Sequence, residues 1–276
     1  MSYNIYFEKT DHEGVLNALA TYGYCVARNV IRPDLIDRLK GEIDLALDPE
    51  RTLPPANGKF HLTFAEESHA LWDLVDNSDY MNLCAALLGD RQLCLHRSAA
   101  ILRTPGDPMG AWHSDHRGHR KGPPTSANDF LNLYSMPSGG WFYLNGSHPD
   151  RSGLAVIEYS HTPDWQPPEG FHMDQDRIFL YRDGEETPFN QSDIPGYVPL
   201  ISEPGDLLLF AAMTIHVNLP TNERRYSCGM AFRPKTVQID VPWALPESVE
   251  RLKARLPAHQ QTLLEGYTGI VPDWKP

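Results

Sequence analysis

Apolar residues at helical spacing run through the first third of the chain. In DHEGVLNALATY (11–22), Val15, Leu16, Leu19 and Ala20 form one stripe. Pro33 and Asp34 open a longer pattern, IRPDLIDRLKGEIDLAL, in which Leu35, Ile36, Leu39, Ile43 and Leu47 share a face. Proline suits a first helical turn because its missing N–H would have no partner there. SHALWDLVDN supplies a third helical pattern. YMNLCAALLG supplies a fourth, closed by Gly89, a residue type that readily takes the left-handed conformation that ends helices. A helical cap is therefore expected over residues 1–90.

From residue 91 the period changes. QLCLHRSAAILRT, GGWFYLNGS, GLAVIEYS, GYVPLI, DLLLFAAM and RYSCGMAF are short runs rich in β-branched and aromatic residues. TPGDPMG, GSHPDRSG and EPGD punctuate them, which predicts antiparallel β structure, a sandwich or barrel. Two polar stretches rich in Pro, Gly and Asp, 117 to about 130 and 162–196, read as long loops of the kind that cover or build sites. PESVERLKARL carries a last amphipathic helical pattern. No repeat and no linker-like composition divides the chain. One domain over 1–276 is expected, with a cap over 1–90, a mainly β core over 91–234 and a C-terminal extension over 235–276.

Composition narrows the partners. With 24 Lys+Arg against 36 Asp+Glu the formal net charge is −12, which repels a nucleic-acid backbone or an anionic membrane surface. No apolar run approaches the length of a spanning helix, and MSYNIYFEKTDHEG has no apolar leader core. Cys25, Cys84, Cys94 and Cys228 show no CxxC spacing and read as reduced thiols, so a cytoplasmic protein acting on a small molecule is expected.

The candidate chemistry begins in AWHSDH (111–116). On an extended strand, side chains two apart leave the same face, so His113 and Asp115 can grip one metal ion from adjacent corners. A second histidine from elsewhere would complete a facial set with open positions, the arrangement used by non-haem Fe(II) oxygenases. His216 follows an apolar strand, and a later strand opens with Arg225 and Ser227, again two apart. A guanidinium fork beside a hydroxyl suits a carboxylate ligand. Taken singly, each has a plainer reading: a satisfied core histidine, an arginine ending a strand. HxD, then His, then RxS in that order on three strand-like segments is harder to obtain by accident.

Further residues join these three sets. Arg97 and Arg103 share a face of the preceding strand, and either could meet ligand or solvent. Tyr143 is either a packed aromatic or a hydrogen-bonding wall residue. His116, Arg117, Arg120 and Lys121 form a basic cluster after the HxD pair, which would draw an anionic substrate or else face water. Asn218, two residues past His216, is placed with the substrate-binding candidates.

This ordered set resembles the phytanoyl-CoA hydroxylase-like (PhyH) family of Fe(II)/2-oxoglutarate dioxygenases, with matching text over roughly 91–234 and a helical N-terminal part of the same type. Trp112-His113-Ser114-Asp115 matches the family's first metal motif. Gly153-Leu154-Ala155-Val156-Ile157-Glu158-Tyr159-Ser160-His161 resembles its G-x-L-x-V-I-P-G-S-H element, with Glu158-Tyr159 in place of Pro-Gly. Pro204-Gly205-Asp206 and LLLF resemble the strand ahead of the distal histidine, and Asn222 and Arg224-Arg225 follow it. The resemblance implies a double-stranded β-helix (jelly roll, cupin-like) and iron held by His113, Asp115 and His216. It implies 2-oxoglutarate on Arg225 or Arg224, with Arg225 preferred because Ser227 then completes the pair, and with Arg103 and Tyr143 as further contacts. The implied reaction consumes O2 and 2-oxoglutarate, releases succinate and CO2, and hydroxylates a small molecule. A carboxylate at Asp115 favours hydroxylation over halogenation. Two rival readings are a cupin-like protein that binds without turnover and a zinc hydrolase built on the same three residues.

Overall fold

The computed structural model describes residues 3–115, 137–175, 177–236, 246–265 and 267. It is mainly β, with helices packed on one side. A seven-stranded sheet runs in the order β1 (Tyr6–Glu8), β2 (Tyr24–Arg28), β10 (Leu207–Ala211), β5 (Pro137–Tyr143), β12 (Arg225–Pro234), β4 (Leu93–Arg103) and β3 (Gly58–His61). Facing it is a smaller sheet, β11 (His216–Asn218), β6 (Leu154–Ile157) and β9 (Tyr197–Leu200). The two sheets form an open jelly roll. A hairpin of β7 (Phe171–Met173) and β8 (Leu180–Arg182) lies in the stretch expected to be a loop.

Strand alternation sorts the large sheet into two faces. On β10, Leu207 and Leu209 join the core beneath the helices, while Leu208 and Phe210 point between the sheets. On β5, Phe142 faces the helices and Tyr143 the interior. On β12, Tyr226, Cys228 and Met230 pack against the helical layer, so Arg225 and Ser227 project to the other face. A period of two thus directs this polar pair inward.

The helical layer is α1 (His12–Tyr22), α2 (Pro33–Leu47), α3 (Ser78–Leu88) and α4 (Pro246–Arg255). Asp11 caps α1 by accepting from the Gly14 amide, Pro33 opens α2, and Gly89 closes α3 at φ +65°. The N-terminal third is less purely helical than its pattern implies, because β1, β2 and β3 all belong to the main sheet. The run YCVAR is too short to display a period, and its pairing with β10 is what makes it a strand. SHALWDLVDN is not an α-helix and contains a single 3-10 turn, Trp72–Leu74. Glu42 accepts from the Ala70 amide and Ser68 Oγ from the Leu71 amide, so side chains take up donors ahead of that turn. Among the described residues, all four cysteines are free and buried, and no helix is long and apolar enough to cross a membrane.

The turn after β6 lacks the motif's glycine. Tyr159 stands at that position with φ +61°, a left-handed conformation unfavourable by about 1–2 kcal/mol for a residue with a Cβ. Glycine would relieve this strain while losing more chain entropy on folding, roughly 0.5–1 kcal/mol. Tyr159→Gly is expected to raise stability by about 0.5–1 kcal/mol, read as a higher urea midpoint at unchanged slope. A lower midpoint would mean that the Tyr159 ring contact with Tyr22 outweighs the strain.

Candidate metal and carboxylate site

His113 and His216 are opposite partners in one antiparallel bridge. The His113 amide donates to the His216 carbonyl at 3.0 Å and the His216 amide to the His113 carbonyl at 2.8 Å. Direct opposition puts both side chains on one face, with ring centroids 4.4 Å apart. The flanking chain is clamped on its other edge. Trp112 donates its amide to the Phe189 carbonyl and its indole N–H to the Gln191 carbonyl, and Ser114 donates its amide to the Ile178 carbonyl. Trp112 is fully buried, which anchors the segment carrying His113 and Asp115.

The two imidazoles are oriented in the same way. His113 Nδ1 lies 2.8 Å from the Ala111 carbonyl and His216 Nδ1 lies 2.9 Å from the Thr214 carbonyl, each two residues upstream. A carbonyl only accepts, so Nδ1 carries the proton and Nε2 presents a lone pair. Asp115 Oδ1 is 3.7 Å from His113 Nε2 and 3.6 Å from His216 Nε2. Ligand atoms from all three lie within 4.8 Å of one another. Burial pulls the His216 pKa down to about 4, partly opposed by Asp115, so this imidazole is neutral at physiological pH, as a metal ligand requires. Two imidazole nitrogens and one carboxylate oxygen on one side of a point are a donor set that fits a divalent iron ion.

Next to this set, Arg225 is fully buried. Its Nη1 donates to Asn218 Oδ1 at 2.9 Å, and Tyr143 donates its hydroxyl to the same oxygen at 2.8 Å. The guanidinium also sits 5.2 Å from the Tyr143 ring centroid. Among the described residues, Arg225 Nε and Nη2 and Ser227 Oγ are buried without a hydrogen-bond partner. Buried donors are nearly always satisfied, and an unmatched buried guanidinium is unfavourable by several kcal/mol. Burial lowers the Arg225 pKa, with the Arg103 charge adding to that and Tyr143 and Asp107 opposing it. A ligand carboxylate would supply both the countercharge and the acceptors. The residues therefore fit 2-oxoglutarate.

Arg224 does something else. Its Nε and Nη2 bind Asp44 Oδ1 at 3.1 and 2.7 Å, Nη2 binds Asp48 Oδ2 at 2.9 Å, and Nε donates to the Tyr226 hydroxyl. It ties the start of β12 to the end of α2. Burial acts to raise the Asp48 carboxyl, but bonds from Arg224 and from the Leu53 and Thr52 amides outweigh it and hold the group below its ordinary value. A carboxyl depressed by folding stabilises the protein fully above its unfolded pKa and loses that contribution as pH falls through the lower folded value. Asp48→Asn is expected to flatten the acid limb of a melting-temperature profile below about pH 4. An unchanged acid limb would show that other carboxylates govern it.

A cavity of about 400 Å³ opens on the metal set. Its lining includes His113, Asp115 and His216, Tyr143 and Asn218, and also Arg97, Arg103, Phe60, Trp141 and Phe210. Arg97 and Arg103 both line it; the spacing of six implied a shared face and left open whether that face met ligand or solvent. Arg103 is ion-paired with Asp107, four residues on, and its guanidinium lies over the Phe60 ring. Asn218, placed with the substrate residues on sequence grounds, uses its side-chain oxygen to orient Arg225 and Tyr143. Its role was invisible in the sequence, as were those of the Ala111 and Thr214 carbonyls, because backbone acceptors carry no residue signature. His116, Arg117, Arg120 and Lys121 lie outside the described residues.

The family model for phytanoyl-CoA dioxygenase (PhyH) matches residues 19–225, about three quarters of the chain. The chain belongs to the phytanoyl-CoA dioxygenase family. No curated protein matches this PhyH chain in sequence. Among solved structures it is similar to HygX from Streptomyces hygroscopicus with nickel and 2-oxoglutarate bound, at TM-score 0.61 and 15% identity over 82% of this chain and 87% of that one. It is also similar to the epimerase SnoN in complex with Fe3+, alpha-ketoglutarate and nogalamycin RO, at TM-score 0.57 and 17% identity over 95% and 96%. A third is AviO1 from Streptomyces viridochromogenes, at TM-score 0.52 and 17% identity over 83% and 97%. At such identities the likeness establishes the fold of this PhyH protein, and the site has to be argued from its own residues.

Proposed function

We propose that this PhyH protein is an Fe(II)/2-oxoglutarate-dependent dioxygenase that hydroxylates a small molecule with release of succinate and CO2. The observation that carries the reading is the adjacency of two unlike sites: Tyr143 and Asn218, which line the cavity with the metal set, are side chains in contact with Arg225. Three metal-ligand atoms converge at one point, and beside them a buried arginine holds donors that no described residue satisfies. His113, Asp115 and His216 hold the iron, and Arg225 with Ser227 holds the distal carboxylate of 2-oxoglutarate. Iron with 2-oxoglutarate and O2 supplies the oxidising power needed to attack an unactivated C–H bond. The chain's own contribution is positional. The Ala111 and Thr214 carbonyls fix the imidazole tautomers, Asn218 and Tyr143 fix the guanidinium, and Trp141, Leu154 and Phe210 keep water from the reacting centre. The whole chain, 1–276, serves as one catalytic domain.

Arg225 argues against a zinc hydrolase, which has no use for a buried carboxylate cradle, and against a barrel that only binds metal. Stereochemical inversion, the activity of the epimerase SnoN, is the other outcome to test. Anaerobic addition of Fe(II) and 2-oxoglutarate should produce a weak visible charge-transfer band. Under air, a substrate screen read by succinate release should give a product heavier by one oxygen atom. Succinate with a product of unchanged mass and inverted configuration would replace hydroxylation by epimerisation. A colourless protein that binds iron but not 2-oxoglutarate would overturn the enzyme reading.

A further inference from the structure

The two imidazoles of the metal set are oriented by one construction, built twice. Each Nδ1 donates to a carbonyl two residues upstream, Ala111 for His113 and Thr214 for His216. That carbonyl shares a planar trans peptide with the next residue's N–H, which points the opposite way. Whatever holds the N–H therefore aims the carbonyl. At His113 the N–H is that of Trp112, and it donates to the Phe189 carbonyl at 2.9 Å. At His216 it is that of Ile215, and its acceptor is a side chain, Ser160 Oγ at 2.8 Å.

The turn after β6 places Ser160 for this. Its hydroxyl donates to the Ile157 carbonyl at 2.7 Å, and its amide donates to the same oxygen at 3.2 Å. Ile157 in turn donates its amide to the Ile215 carbonyl at 2.9 Å, so one turn engages both backbone polar groups of Ile215. Thr214 is fixed on its other side, where its hydroxyl donates to the Gly23 carbonyl and its amide to the Ala211 carbonyl, each at 2.9 Å. The motion left to the Thr214–Ile215 peptide is rotation about the line joining its two Cα atoms. The Ser160 bond opposes that rotation. Ser160, Thr214 and Ile215 are all buried, so bulk water does not replace a lost acceptor there.

We infer that Ser160 is a positioning residue for the metal site, holding the peptide whose carbonyl orients the His216 imidazole. This rests on His113, Asp115 and His216 being the metal set, as proposed above. Without the hydroxyl, the Ile215 amide is a buried donor with no acceptor and the Thr214 carbonyl is free to swing off the Nδ1 direction. The ring then loses its fixed aim although no ligand residue has changed.

Calorimetric titration of the full chain with Co(II), in the absence of turnover, tests it. Ser160→Ala should weaken Co(II) binding about tenfold, the size of effect typical of groups that orient metal ligands, and should alter the visible Co(II) absorption band. The matched control is Ser147→Ala. Ser147 is also buried, and its Oγ accepts from the Leu154 amide and donates to the Leu200 carbonyl, the same pair of bonds at the other end of β6. That variant should lower the melting temperature as Ser160→Ala does while leaving Co(II) affinity and the band unchanged. Ser160→Cys keeps a weak acceptor and should fall between parent and alanine, and it carries the test if the alanine variant does not fold. Parent-like Co(II) affinity in the Ser160 variants, or an equal loss in Ser147→Ala, would overturn the inference. A parent chain that binds no Co(II) would instead overturn the metal reading beneath it.

Discussion

Asp115→Ala is expected to abolish iron-dependent succinate formation while leaving the fold intact. Asp115 supplies the one charged atom of the metal set, 3.7 and 3.6 Å from the two imidazole nitrogens. Its side chain is partly exposed toward the cavity, so truncation removes a ligand without opening a hole in the core. Groups that merely orient metal ligands typically contribute 10–100-fold in metal affinity or activity, and loss of a ligand should exceed about 100-fold. The check is Fe(II) affinity by calorimetry together with succinate production, on a variant whose melting temperature stays within a few degrees of the parent. Retained affinity and activity would remove Asp115 from the ligand set and with it the facial arrangement. His216→Ala is less clean, because that ring is buried against Phe210 and its removal also disturbs packing.

Arg225→Lys should produce the second large effect and a more selective one. The lysine keeps a positive charge but loses the planar fork that lets one side chain grip Asn218 and still offer donors to a carboxylate. A charge-assisted contact of this kind is worth about 1.5–3 kcal/mol, so the 2-oxoglutarate dissociation constant should rise roughly 10- to 150-fold with Fe(II) affinity little changed. Arg224→Lys is the control that separates neighbours in sequence. Its guanidinium is engaged with Asp44 and Asp48 on the opposite face of β12, so it should lower melting temperature and leave 2-oxoglutarate affinity within a few-fold. If Arg224→Lys weakens the co-substrate more than Arg225→Lys, the assignment of the cradle is wrong.

Much of this is legible in the sequence. Strands of the core were visible as short β-branched runs between Pro/Gly turns, since turn residues act locally through their own φ preferences. The pairs His113/Asp115 and Arg225/Ser227 were visible because a strand's period of two is local as well. The misread regions share a cause. YCVAR is too short to show a period, and SHALWDLVDN has helical spacing over barely two turns, too little to decide between helix and turn. Their state is set by partners far along the chain, β10 for the first and Glu42 for the second.

Residue types and their spacing were therefore sufficient for antiparallel β structure, the three metal-ligand candidates and the shared face of Arg225 and Ser227, and the family resemblance they carried implied the jelly-roll class. Folding supplied the rest. That His216 stands opposite His113, that Asn218 serves Arg225, and that Arg224 turns to α2 while its neighbour turns inward are contacts across 103, 7 and 180 positions of chain respectively. Contacts of that kind depend on strand register and on which elements pack together. Neither is written in the local pattern, because loop closure lets many pairings compete and burial of the whole core selects among them.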